Sequence, residues 1–259
     1  MPFISYTRNF EDVMLNRVFD SVPQGFYVDV GGYHPATDSN TYAMYLRGWR
    51  GVAIEPAPAM ASLWAELRPD DVLVQAAAGA ASGHTTFFTF GDVEQYSTTT
   101  AQTAEQHRSN GAPVKTTLVP MVSLNDVLAK HRPSGDIHCM SIDVEGGERA
   151  VLEGLDLGRY RPWVIMLESV EPGRPVPNHM AWEPLLLAHD YEFAYFDEVN
   201  RFYVAKEQSQ LKRFFACGPC VWDDFVHIDL VTARAELAQA RAELAQARAG
   251  LEQLRSRKT

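Results

Sequence analysis

Hydrophobic and polar positions alternate along this chain at two periods, and each period predicts an element. Phe3, Phe10, Val13, Met14, Val18 and Phe19 stand among polar residues over 3–19, as in an amphipathic helix with a loop before it. Pro23 breaks that run, and Gly25-Phe-Tyr-Val-Asp-Val-Gly-Gly32 then reads as a buried strand entering a tight turn. A helix over about Ser39 to Arg47 follows, with Asp38 or Ser39 as its N-cap and Gly48 past its end. Gly51 to Glu55 is the next strand, closed by Pro56 and Pro58. A helix through Ala59 to Leu67 and a strand over Asp71 to Ala77 complete a β-α-β-α-β series. That alternation predicts right-handed crossovers and a mainly parallel sheet.

Residues 82–120 break the rhythm: Phe87, Phe88 and Phe90 suggest an antiparallel or edge strand, and Tyr96-Ser-Thr-Thr-Thr100 a polar loop. Order resumes with a helix over Ser123 to His131, a strand over Asp136 to Asp143, a helix over Glu148 to Gly154 and a strand over Trp163 to Glu168. A Pro-rich loop from Glu171 to Pro177 and a helix near Trp182 to His189 lead to two strands, Tyr191 to Phe196 and Arg201 to Ala205, which form a hairpin around Asp197 to Asn200. The expected class is therefore α/β, a Rossmann-like and mainly parallel sheet with an antiparallel edge hairpin. From Ala233 the chain turns into heptads, ARAELAQ twice and then ARAGLEQ. Leu237, Leu244 and Leu251 recur every seven residues, with Ala240, Ala247 and Leu254 three later, which predicts a C-terminal helix from about 224 to 255. Two units are expected, 1–222 as a catalytic-size domain and 223–259 as a helical, coiled-coil-like segment. That segment pairs copies of the chain, leads into a further domain, or stands alone.

Composition narrows the function classes. The chain has 259 residues, 46% hydrophobic and 22% charged, enough for one sizeable core. A formal charge of −10 argues against the basic footprint of a nucleic-acid binder. The N-terminus lacks a basic start followed by an apolar run, and no apolar stretch has the length of a membrane span, so a cytoplasmic protein is expected. The three cysteines, Cys139, Cys217 and Cys220, do not suggest a disulfide framework. Cys217-Gly-Pro-Cys220 has the spacing of a redox pair or half a zinc site, but without a second pair it reads as a Gly-Pro turn carrying two thiols.

In a parallel α/β sheet, ligands bind outside the carboxyl ends of the strands. Asp29, Gly31 and Gly32 stand at the first such end, and the glycines let backbone approach a ligand. The following residues, Tyr33-His-Pro-Ala36, do not complete Gly-x-Gly-x-x-Gly, which disfavours a pyrophosphate cradle. Glu55 ends the second strand 26 residues after Asp29, near the spacing at which an acid accepts both ribose hydroxyls of a nucleoside; this suits NAD or S-adenosylmethionine.

The combination resembles a known family. Tyr27-Val-Asp-Val-Gly-Gly32, Ser39-Asn-Thr41, Gly48-Trp-Arg-Gly-Val-Ala-Ile-Glu-Pro56 and Ser141-Ile-Asp-Val-Glu-Gly-Gly-Glu148, running on to Val151-Leu-Glu-Gly154, are similar to the motifs of FkbM-type methyltransferases, as is the opening Ser5-Tyr-Thr-Arg-Asn-Phe-Glu-Asp12. The likeness covers about 5–205, and His34 and Ala36 stand where many members have Asn and Gly. It implies a class I methyltransferase fold using S-adenosylmethionine. Asp29 and Gly31 would line the methionine end, Glu55 would hold the ribose, Ala76 and Ala77 would lie near the adenine, and Gly32 and Ser39 would also belong to the cofactor site. Asn9, Glu11 and Asp12 would either close over the cofactor or cap the first helix. Asp143, at the end of the fourth core strand, would face the transferred methyl group.

Family members associated with polysaccharide, lipopolysaccharide and glycoside tailoring make a sugar hydroxyl the expected acceptor. Such a hydroxyl is a weak acid, so a base must take its proton or a metal must acidify it. Asp143, Glu145, His34 and Glu168 are the candidates, with Asp197 and His179 further along. Asp143 and Glu168 both end strands and could share one magnesium ion, or be structural acids held by backbone donors. Tyr96, Trp182, Tyr195, Phe196, Phe202 and Tyr203, and the turn Asp197 to Arg201, are further acceptor candidates. Two other classes stay open: an NAD-binding oxidoreductase, and a non-catalytic assembly module that uses the heptads.

Overall fold

The computed structural model describes residues 2–91, 94–132 and 134–256, leaving the side chains of 94, 251, 252 and 254–256 aside. Its centre is a seven-stranded sheet in the order β10-β11-β9-β8-β2-β3-β4. The strands are β2 (Phe26–Val30), β3 (Arg50–Ile54), β4 (Val72–Val74), β8 (Cys139–Ile142), β9 (Val164–Glu168), β10 (Tyr191–Phe196) and β11 (Asn200–Ala205). Pairing is parallel from β4 through β3, β2 and β8 to β9, and antiparallel where the hairpin β10–β11 joins β9. This is the α/β class expected from the sequence.

Both faces of the sheet are covered. Along β9, Val164 and Met166 point to one core and Ile165 and Leu167 to the other, because side chains alternate at period two. One core packs Met14, Leu15 and Val18 of α1 (Glu11–Val18), with Met44 of α2 (Tyr42–Leu46) and Trp49, against Tyr27, Cys139 and Met166. The other packs Leu124, Val127 and Leu128 of α5 (Leu124–His131), Val151 and Leu152 of α6 (Glu148–Glu153) and Leu186 of α7 (Glu183–Leu187) against Val28, Met140 and Leu167. Strands buried on both faces carry continuous apolar runs, which is why they stand out in the sequence. Ser123 caps α5, its hydroxyl accepting from the Asp126 N–H at 3.1 Å.

Several expected boundaries differ. The N-terminal residues are not wholly loop: β1 (Phe3–Ser5) pairs in parallel with β12 (Phe225–His227). Neither Asp38 nor Ser39 caps α2, whose N-cap is Thr41; Asp38 is left-handed at φ 52° and Ser39 is turned inward. The strand expected over Asp71 to Ala77 splits, because β5 (Ala77–Ala78) leaves the main sheet to pair with β7 (Val114–Val122), itself antiparallel to β6 (Gly83–Phe90). A helix, α4 (Ala101–Ser109), lies within the region read as irregular, and α3 (Ala61–Leu67) begins after a short 3-10 turn. The C-terminal helix α8 (Ile228–Ser256) starts after β12, so strand pairing carries the globular part past the boundary drawn at 222. On α8, Leu237 and Leu244 are exposed at 50% and 52%; the side chains of Leu251 and Leu254 lie outside the described ones. Cys217 is exposed and Cys220 half-buried, and both are free thiols. Among the described residues no helix is long and apolar enough to cross a membrane.

Candidate active site

The parallel strands end on one edge of the sheet, and two adjoining cavities open there. The first encloses about 480 Å³, counting space open to solvent, between Gly31, Tyr33, Ile54, Glu55, Pro56, Ala77, Ala78, Phe87, Ser97 to Thr99 and the segment Asp143 to Glu145. Ile54, Pro56, Ala77, Ala78 and Phe87 give it an apolar side, polar residues line the rest, and its one buried acid in the β3 loop is Glu55, a mixture that suits a nucleoside. Glu55 is fixed by two backbone donors, Tyr33 N–H to Oε2 at 2.8 Å and Ala57 N–H to Oε1 at 2.6 Å. Burial pushes its carboxyl up to about 7 despite those donors. A carboxylate has about four acceptor sites, so capacity for ligand hydroxyls remains.

The second cavity is larger, about 1680 Å³ on the same measure, and most of the residues that line it are polar or charged. Arg8, Asn9, Glu11, His34, Asp38, Arg174 and Glu198 stand around it, with Glu168 at its floor, and it shares Gly31, Tyr33, Gln95, Asp143 and Glu145 with the first. The neck between the two depends on Gly31, at φ +81°: a Cβ there would sit 1.7 Å from the Asp143 carbonyl oxygen. Only glycine lets β2 and the loop after β8 approach this closely.

At that neck, Asp143, Glu145 and Glu168 each offer an oxygen within 4.8 Å of the other two. Burial raises all three carboxyls, and repulsion from the neighbouring acids pushes Glu145 and Glu168 further up. The loop that carries Glu145 is tightly held. Glu145 is left-handed at φ 57°, and its carbonyl accepts from Thr98 Oγ1 at 2.8 Å and Thr103 Oγ1 at 3.4 Å. Glu148, fully buried in the first turn of α6, accepts from the N–H groups of Gly146 at 3.0 Å and Val144 at 3.4 Å. Neither the threonines nor Glu148 was singled out as functional from sequence. The run Ser-Thr-Thr-Thr and the acid opening α6 were the available signals.

The structure separates the remaining candidates. Glu55 and Ala77 line the first cavity, Gly32, His34, Asn9, Glu11 and Glu168 the second, and Gly31, Asp143 and Glu145 both. Asp29, Ser39, Asp12 and Ala76 line neither. Asp29 lies on the same strand face as Tyr27, so its carboxylate turns under the sheet to Thr41 Oγ1 and sits 3.9 Å from Arg68. Ser39 Oγ accepts from the same Arg68 at 3.3 Å. Asp12 is used internally, accepting from Ser5 Oγ, the Tyr6 N–H and Thr7 Oγ1 at 2.7, 2.7 and 2.9 Å. Glu11 and Asn9 instead join the cavity wall to the hairpin: Asn200 Nδ2 donates to Glu11 Oε1 and Asn9 Nδ2 to the Asp197 carbonyl, both at 2.8 Å.

His34 is placed to donate rather than to take a proton. Its Nδ1 accepts from the N–H groups of Ala36 and Thr37 at 3.1 and 2.9 Å, so the proton of the neutral ring sits on Nε2, and burial lowers the ring's pKa. Of the aromatics expected near an acceptor, Tyr96 lines the second cavity; Trp182, Phe202 and Tyr203 are fully buried in the cores. Glu198 and Val199, of the Asp197 to Arg201 turn, reach the cavity. Asp197 is spent on its own turn, accepting from the N–H groups of Val199 and Asn200, and His179 lies outside both cavities.

Residues 29–193 match the model of the Methyltransferase FkbM domain. Curated proteins give no match. Among solved structures, a chain of a fibrillarin/Nop5p complex is similar at 10% identity over 70% of this chain and 70% of its own, with a TM-score of 0.32.

Proposed function

Because the chain belongs to the FkbM methyltransferase family, we propose that it is an S-adenosylmethionine-dependent O-methyltransferase whose acceptor is a sugar hydroxyl of a polysaccharide, lipopolysaccharide or glycosylated metabolite. One observation carries this reading: a cavity with Glu55 and the apolar side chains of Ile54, Ala77, Ala78 and Phe87 in its wall adjoins, through Gly31, Asp143 and Glu145, a larger cavity lined chiefly by polar and charged residues. A cofactor and a hydroxyl-rich acceptor need that division. When bound, S-adenosylmethionine supplies a methyl group already activated on a sulfonium.

The chain's own residues do the rest. Glu55 accepts the ribose hydroxyls, and Ala77, Ala78, Ile54 and Phe87 take the apolar base out of water. Gly31 brings the two cavities within reach of one another, which is an orientation effect worth several kcal/mol when the reacting atoms are held in line. The Nε2–H of His34 and the wall formed by Asn9, Glu198 and Arg174 offer hydrogen bonds to a polyhydroxylated acceptor. The acids at the neck deal with the hydroxyl proton, either as base or through an ion. The expectation is tested by incubating the chain with methyl-labelled S-adenosylmethionine and a panel of glycans and glycosylated metabolites. Label in an ether on the acceptor supports the proposal; label on nitrogen, or on non-sugar acceptors alone, contradicts it.

A further inference from the structure

Three carboxyl groups meet where the cavities adjoin, with no cation against them among the described residues. Oδ1 of Asp143, Oε2 of Glu145 and Oε2 of Glu168 are buried and have no hydrogen-bond partner among the described residues. Glu168 and Glu145 are only 7% and 8% exposed. No Lys, Arg or His among the described residues forms an ion pair with any of the three. Asp29 and Asp71, equally buried, make the contrast, because Arg68 lies against both. Asp143 and Glu168 share a side-chain hydrogen bond, but ionising all three groups together without a counter-charge would cost several kcal/mol.

The spacing says what would relieve that cost. Oxygens bound to one small divalent ion at about 2.0 to 2.6 Å lie no more than about 5 Å apart, and one carboxyl oxygen from each of Asp143, Glu145 and Glu168 lies within 4.8 Å of the other two. A single ammonium group could be held by the same charges, but three carboxyl groups gathered this closely suit an ion with oxygen ligands. We propose that Asp143, Glu145 and Glu168 form the binding site of a hard divalent cation, magnesium or manganese, whose remaining positions face the second cavity. Three protein oxygens leave about three places of an octahedral shell for water and acceptor oxygens. An acceptor hydroxyl bound there loses its proton to water in the open cavity and keeps the electron pair on oxygen, so the ion acidifies the nucleophile where it is needed. The ion's use in catalysis rests on the methyltransferase reading, whereas its binding rests on the carboxylates alone.

The test is a titration of the chelator-stripped full chain with Mn2+, followed by the electron paramagnetic resonance of the free ion. One saturable site, displaced by Mg2+, is expected. Glu168→Gln and Glu145→Gln should each weaken it by about tenfold or more, while Glu168→Gln, which lies outside the first cavity, leaves S-adenosylhomocysteine affinity within about threefold. No saturation up to about 10 mM Mn2+, with or without S-adenosylhomocysteine, overturns the site, as does a site both variants leave intact. Should the variants fail to fold, Fe2+ with ascorbate and peroxide on the unaltered chain decides: cleavage near residues 143–145 and 168 supports the site, and cleavage only elsewhere removes it. Mn2+ binding without S-adenosylhomocysteine binding would sink the proposed function and leave this site standing.

Discussion

Replacing Glu55 by Gln tests the cofactor side of the site with little change in shape. Both carboxylate oxygens accept a backbone N–H, from Tyr33 and from Ala57. A Gln amide has one oxygen, so its NH2 must face one of those donors and cannot accept from a ribose hydroxyl. Losing charge-assisted hydrogen bonds to the ligand costs about 1.5 to 3 kcal/mol, a fall in S-adenosylhomocysteine affinity of about 10- to 150-fold. The same substitution should alter pH dependence. The Glu55 carboxyl is raised to about 7 in the free protein, and hydroxyl donors need the carboxylate form. Affinity of the unaltered chain should therefore rise with pH up to about 7 and then level off, a slope the Gln variant loses. Stability runs the other way. A folded pKa raised above the ordinary 4.5 gives a contribution that is full below 4.5 and is lost as pH rises through about 7. At pH 8 that lost contribution, at most about 3 kcal/mol, offsets the roughly 1 to 3 kcal/mol for the unpaired backbone donor, so the variant should melt near the parent there and below it at pH 5. Calorimetric titration at several pH values and thermal melts read both effects. An affinity within threefold of the parent at pH 8 would refute the role given to Glu55.

Other perturbations have equally definite outcomes. Gly31→Ala places a Cβ against the Asp143 carbonyl at a left-handed φ, and should either prevent folding or open the neck and abolish cofactor binding, read by circular dichroism and calorimetry. Arg68→Met leaves Asp29 and Asp71 buried without their counter-charge and should cost about 3 to 5 kcal/mol in urea unfolding; a loss under 1 kcal/mol would show that the network carries little. The heptad face of α8, with Leu237 and Leu244 half exposed, is expected to pair with a second copy. Light scattering should find a dimer that becomes a monomer when residues 228–259 are removed, and a monomeric full chain at tens of micromolar would contradict this.

The parallel strands and the acids at their ends were legible in the sequence because both need local patterns. β2, β3, β8 and β9 are short, largely buried apolar runs, and Gly31, Glu55, Asp143 and Glu168 follow or end them. The misreadings came from side-chain direction and from distant partners. Asp29 stands beside the glycines, but its place in the pleat turns it toward Arg68, and nothing local announces a buried Arg68 with Tyr27, Thr41 and Asp71 around it. The helix α4 was missed because AQTAEQHRS buries only Thr103 and Ala104 and shows no apolar stripe. Strand β7 was masked by Pro120, which is tolerated because β5 reaches only Met121 and Val122 and leaves the edge beside Pro120 unpaired. Which acids converge was beyond sequence alone: Asp143, Glu145 and Glu168 meet through the β8–β9 pairing and the left-handed turn at Glu145.

The measurement closest to the central claim is a calorimetric titration of the purified chain with S-adenosylhomocysteine, with NAD as the comparison and Glu55→Ala as the control. The account expects micromolar binding of S-adenosylhomocysteine, none of NAD, and loss of the former in the variant. No binding of S-adenosylhomocysteine, or binding that the variant leaves unchanged, would contradict it.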